Sequence, residues 1–229
     1  MKQFTESFAC FCFLALVRSV TLTEVVDDKK REPIGENVTV QAVIFYDSAY
    51  LDRIKKNTES NSDGSNSVEN YFKQLFQKVE SHFHNHSINI TVKVKQVTQK
   101  NDFPTYSGLF FSEKEMLENL TKFGQSLGLP QNTIFYRFTW SDKKFMGTGS
   151  RPRSESALET DGTFCTSNTS GAVILHHHQS ENPWSTIKAT AFTFGSKHFF
   201  NFSRQDWTTM NQTFLRCPKG EQNLDILAC

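Results

Sequence analysis

The seven histidines supply this chain's candidates for metal and proton chemistry, and they fall into two clusters and one isolated residue. His82, His84 and His86 alternate in SHFHNHS. On an extended segment all three would project to one side and could share a metal ion. At the end of a helix they would diverge, and a solvated helix end is the preferred reading, because His82 closes a helical pattern. His176, His177 and His178 follow an apolar run, and three consecutive residues cannot all face one ion without unusual backbone geometry. A hydrolytic site built from His176, His178 or His198 with a carboxylate such as Asp161 is the corresponding alternative. Cys165 is a conceivable nucleophile, but in a secreted chain a disulfide is the ordinary fate of such a residue.

The compartment follows from the ends and the cysteines. Met1 to Ser19 combines Lys2, an apolar run from Phe8 to Val17 and a small residue at Ser19, the pattern of a secretory signal peptide. About ten apolar residues are too few to span a bilayer, which takes roughly 20. Removal of this leader takes Cys10 and Cys12 with it and leaves Cys165, Cys217 and Cys229. An oxidising compartment pairs two of the three, and the third is either free or joins two chains. N-x-S/T sequons at Asn37, Asn85, Asn89, Asn119, Asn168, Asn201 and Asn211 are acceptors wherever they are exposed, with Asn85 and Asn89 close enough to compete. A secreted, extracellular glycoprotein is the expectation. The net charge of +1 argues against nucleic acid and anionic membrane as partners.

Residues 20–229 must then build what positions these groups, a length suited to one α/β domain. Val38 to Tyr46 is a β-rich run that ends in the turn signal Asp47-Ser48. Asn57 to Asn66 is rich in Ser, Asn, Asp and Gly, which predicts an exposed loop. Val68, Tyr71, Phe72, Leu75, Phe76, Val79 and Phe83 recur at helical spacing. Ile88 to Val97 alternates like a half-buried strand. Ser112 and Glu115 form a capping-box pattern before Met116, Leu117, Leu120, Phe123 and Leu127, and that helix should stop near Gly128 and Pro130. Thr133 to Thr139 and Ala172 to Leu175 are further strand candidates. Asn182-Pro183 is a helix start, followed by Trp184, Ile187, Ala191 and Phe194 on one face. The order predicts an α/β fold, a twisted mixed sheet packed by helices. Much of its core would come from the 22 phenylalanines.

Four stretches together resemble the metzincin metalloproteases, in particular the reprolysin or adamalysin group. They are VTVQAVIFYDSAYLDRI, VENYFKQLFQKVESHFHNHSINITVKVKQVTQKND, the helix from Ser112 to Leu127, and GTFCTSNTSGAVILHHHQSENPWSTIKATAFTFGS. The resemblance implies a single metzincin-like domain over residues 20–229 and a disulfide between Cys165 and Cys217. The family's motif, H-E-x-G-H-x-x-G-x-x-H, would fall on Phe192 to Phe202. Its zinc ligands would be Phe192, Ser196 and Phe202, and its general base Thr193. Phenylalanine has no lone pair to give a metal and threonine is no base at neutral pH. Phe199 stands where the motif has a glycine, which implies a turn rebuilt or extended as helix. Met210 follows too closely to match the family's methionine turn.

What the resemblance implies for function is therefore a pseudoenzyme, with no zinc, no other cofactor and no peptidase activity. Size and sequon density also resemble tick salivary glycoproteins such as the thirty-six kilodalton immunosuppressant family. That likeness implies suppression of a host's immune response through an extracellular host protein or immune-cell receptor. Two alternatives stand beside it: a divergent secreted metal-dependent hydrolase, and a module binding immunoglobulin or a small apolar ligand, the ligand held with Phe192, Phe194 and Phe199 on the pocket wall. The phenylalanines of FTFGSKHFFNF are read in preference as core that fills the space of a zinc cleft.

Overall fold

The structure is a computed structural model, and it describes residues 32–48, 50, 64–102, 106–107, 110–111, 113–140, 156–176 and 180–218. The leader, Ser112, His177, His178 and Cys229 lie outside the described residues.

Five strands form one sheet in the order β2-β1-β5-β7-β6: β1 (Thr39–Tyr46), β2 (Thr91–Gln99), β5 (Thr133–Thr139), β6 (Ala157–Glu159) and β7 (Ser170–Leu175). All neighbours run parallel except β6, which pairs antiparallel with β7. Two short strands, β3 (Tyr106–Ser107) and β4 (Phe110–Phe111), make a separate hairpin ladder. The described helices are α1 (Gly64–His84), α2 (Glu113–Ser126), α3 (Trp184–Thr193) and α4 (Arg204–Phe214). None is long and apolar enough to cross a membrane among the described residues. The expected fold class, a mixed α/β sheet packed by helices, is the one observed.

The sheet is covered on both faces, so its central strands are apolar along their whole length instead of alternating with polar residues. Val40, Ala42 and Ile44 of β1 face the larger core with Phe72, Phe76 and Val79 of α1, while Val43 and Phe45 face Met116 and Leu120 of α2. β5 divides in the same way, with Ile134, Tyr136 and Phe138 toward the larger core and Phe135 toward α2. Aromatic rings fill the larger layer: Phe72 lies 4.8 Å from Phe138, and Phe76 meets Tyr136 edge-on at 4.9 Å. At the C-terminal ends of β1 and β5, Arg137 is 2% exposed and pairs with Asp47 at 3.1 Å.

Several local expectations shift. α1 begins at Gly64, inside the stretch expected to be loop, and 57–63 lie outside the described residues. β6 and α4 were not anticipated. α4 carries its own start signal, since Ser203 and Asp206 form a reciprocal capping box and Met210 and Phe214 are buried one and two turns on.

Candidate functional site

The region around α3 brings together most of the residues singled out above. The helix starts where Asn182 Oδ1 accepts the Trp184 N–H at 3.0 Å. The expected assignment, Asn182 as cap and Pro183 at the first helical position, shifts by one residue: Pro183 is the N-cap, without a side-chain cap hydrogen bond, Trp184 is first in the helix, and Asn182 lies just outside it. Along α3 the buried threonines spend their hydroxyls on carbonyls one turn back, Thr190 on Thr186 and Thr193 on Ala189, each at 2.7 Å. Tyr136 also reaches Thr190 Oγ1, at 2.9 Å.

The helix ends at Thr193, and Gly195 at φ +91° turns the chain away. A side chain there would be strained by the backbone and would crowd Thr209 at 3.0 Å. The end of the helix is closed by the turn after β6: Gly162 N–H donates to Phe192 O and Phe164 N–H to Thr193 O. That turn carries Cys165, which is disulfide-bonded to Cys217 beyond α4. Residues 196–203 follow as a loop, so the expected extension as helix does not occur.

The four positions that the resemblance assigns to zinc and its base each have other partners. Thr193 and Ser196 are fully buried, and Ser196 Oγ donates to the His198 carbonyl at 2.6 Å. Phe192 is half-buried between Lys188, whose Nζ lies 5.3 Å above the ring, and Phe199, 6.3 Å away. Phe202 stacks on Phe83 of α1 at 5.7 Å, with 14° between the planes. Because α3 stops at Thr193, positions 192 and 196 do not share a helical face. Phe194 is buried against Phe83, Phe164 and Phe214, so it cannot wall a ligand pocket, as the apolar-ligand alternative required.

The histidines are distributed differently from either expectation. His82 and His84 are helical, so the alternating cluster is not extended and its three rings do not share one side. His84 Nε2 pairs with Ile90 O at 2.6 Å, His86 Nδ1 with His82 O at 2.8 Å, and His82 Nε2 with Phe199 O at 2.7 Å. The helix ends at His84, which is exposed as a solvated end requires, but His82 and His86 are half-buried: their rings lie 4.6 Å apart and both meet Phe202 edge-on. Burial holds His82 below the ordinary imidazole value; the Phe199 carbonyl opposes this and the charge of His86 adds to it.

His176 is buried at the end of β7, between Tyr71 OH at 3.2 Å and the Asn182 carbonyl at 3.0 Å. Asp161 pairs with Lys197, and His198 turns to another carboxylate, Asp206, whose Oδ2 lies 2.7 Å from Nδ1. The pairing of His198 with Asp161 is thereby corrected. Asp206 is 2% exposed and also accepts the Lys197 N–H and the Ser203 N–H and hydroxyl. Burial pushes its carboxyl up, but these hydrogen bonds and that of His198 outweigh it and hold the group well below its usual range. The sequence signal for Asp206 was its spacing from Ser203.

The sequence also contains Gly124-Gln125-Ser126-Leu127-Gly128, which has the G-x-S-x-G spacing of a nucleophile turn. Ser126 ends α2 instead of joining a strand to a helix, and its hydroxyl donates to Phe123 O at 2.7 Å, so no such turn is formed. Among the described residues no three His, Cys, Asp or Glu side chains could hold a metal ion.

Beside this packed region, α1 and α3 border an open groove of about 530 Å³. Gln74, Gln77, Ser81 and Asn85 wall it from the side of α1, and Trp184 and Ile187 from α3. Phe200, itself exposed, stacks on Trp184 at 4.1 Å, and His82 meets the indole edge-on at 5.4 Å. Five sequon asparagines are exposed, Asn37, Asn85, Asn89, Asn168 and Asn201, whereas Asn119 in α2 and Asn211 in α4 are half-buried.

No protein-family model and no curated protein matches the chain. Among solved structures it is similar to metalloproteinase-II from Bacteroides fragilis, at 11% identity and a TM-score of 0.49, over 80% of this chain and 55% of that one. The chain thus spans about half the length of that protein.

Proposed function

We propose that this chain is a secreted, glycosylated pseudoprotease that acts by binding an extracellular protein. The observation that carries the reading is the fate of the four positions where a metzincin would hold zinc and its general base. Phe192 and Phe202 are engaged in packing, the Thr193 hydroxyl donates to Ala189 O within α3, and the Ser196 hydroxyl donates to His198 O in the loop that follows. An open coordination position and a carboxylate to accept a proton from water are both needed for zinc hydrolysis. A site filled with aromatic rings provides neither.

The class of partner, a host immune factor or immune-cell receptor, rests on the resemblance to tick salivary glycoproteins. Cys229, left over from the Cys165–Cys217 pair, would join two chains or remain a free thiol.

Protein recovered from the medium of secreting cells should begin after residue 19, carry N-glycans, contain no stoichiometric zinc and leave a broad peptide library uncut. Stoichiometric zinc, or cleavage that a chelator abolishes, overturns the reading. Capture from serum and from leukocyte membranes should then yield one saturable protein partner. A non-reducing gel of Cys229→Ser tests the dimer.

A further inference from the structure

We propose that the N-glycan on Asn85 folds back into the groove between α1 and α3, where its first sugars lie along Trp184 and the polar face of α1. The inference rests on the secreted, glycosylated reading given above. Asn85 is both an acceptor and part of the groove's wall, so a sugar attached there begins inside the depression instead of reaching it from solution.

The lining has the chemistry that a saccharide recognises. Gln74, Gln77 and Ser81 are exposed and recur at helical spacing with Asn85, presenting amide donors, amide acceptors and a hydroxyl in a row. Trp184 supplies an apolar aromatic body for the C–H face of a pyranose ring, with its indole already oriented by Phe200 and His82. A prearranged ring costs little further entropy when the sugar settles. The groove's volume of about 530 Å³ lies within the range of ordinary small-molecule sites. Tethering makes the contact intramolecular, so contacts too weak to hold a free saccharide suffice for one attached to the wall. The seated glycan would cover Trp184, and a protein partner would have to bind elsewhere.

The test uses the full chain secreted from eukaryotic cells, with occupancy of each sequon mapped by glycopeptide mass spectrometry. Peptide N-glycosidase acting on the native protein should release the Asn85 glycan about tenfold more slowly than the glycans at the other occupied sequons, the ratio expected if it is seated ten times more often than free. After denaturation the rates should converge, and Trp184→Ala or the exposed Gln77→Ala should speed native release at Asn85 alone. Asn85 empty while other sequons are filled, or native release at Asn85 as fast as elsewhere, overturns the seat and leaves the secreted reading intact. A secreted chain with every sequon empty overturns the glycoprotein reading and the seat together.

Discussion

His198 Nδ1 lies 2.7 Å from Asp206 Oδ2, and through this contact the loop after α3 is fastened to the first turn of α4. The carboxylate is an acceptor only, so Nδ1 carries the proton, on an imidazole that is 63% exposed. Asp206 organises the loop, with Lys197, His198 and Ser203 all donating to it. Asp206→Asn keeps the volume but turns an NH2 group toward those donors. Urea unfolding at neutral pH should show a loss of about 3 kcal/mol, the scale of a buried charged network that loses one member.

Acid should act through the same group. The folded carboxyl titrates below the ordinary value of 3.8, so its contribution is complete above that value and is lost as pH falls through the folded one. Unfolding midpoints followed from about pH 5 down to pH 2 should fall more steeply in the parent than in Asp206→Asn. Equal slopes would remove Asp206 from the acid response.

His82 predicts a second, milder window. Its imidazole is held below 6.5 mainly by burial, so the unfolded chain takes up the proton first. Stability from this group is complete above 6.5 and declines as pH falls from there through the folded value. The melting temperature should therefore drop between about pH 7 and pH 5, and His82→Gln should flatten that drop.

Gly124 sets helix propensity against packing. Alanine is worth about 1 kcal/mol over glycine inside an exposed helix, and Gly124 lies within α2. Its added methyl would meet the ring of Phe135 at 2.6 Å, and that ring is buried. Overpacking of this kind costs about 1–3 kcal/mol, so Gly124→Ala should lower stability on balance. A higher melting temperature in the variant would show that Phe135 has room to yield.

The Cys165–Cys217 bridge closes a loop with a sequence separation of 52. By chain entropy a loop of that length is worth about 4 kcal/mol. Replacing both cysteines by serine should lower the denaturant midpoint accordingly and leave Phe164 and the turn that caps α3 easier to open, read as faster exchange of the Gly162 and Phe164 amides.

Periodicity carried the sequence reading where one element supplies its own pattern. Val68 to Phe83 returned as α1 and Thr133 to Thr139 as β5, because apolar spacing and β-branched content act over neighbouring residues. β6 was invisible because three residues have no period to read. α4 carries two local signals, its Ser203–Asp206 box and the spacing of Trp207, Met210 and Phe214, but the apolar set is short and set among polar residues.

Residue chemistry along the chain was enough to mark the α/β order and the sequons. Folding decided the partners: His198 with Asp206 in place of Asp161, His82 with Phe199 across 117 residues, Phe202 on Phe83, and Asn85 in the wall of a groove. The division has a physical cause. Propensity and spacing are properties of adjacent residues, whereas a hydrogen bond or ring contact between distant segments exists only after the sheet and helices have fixed where those segments meet.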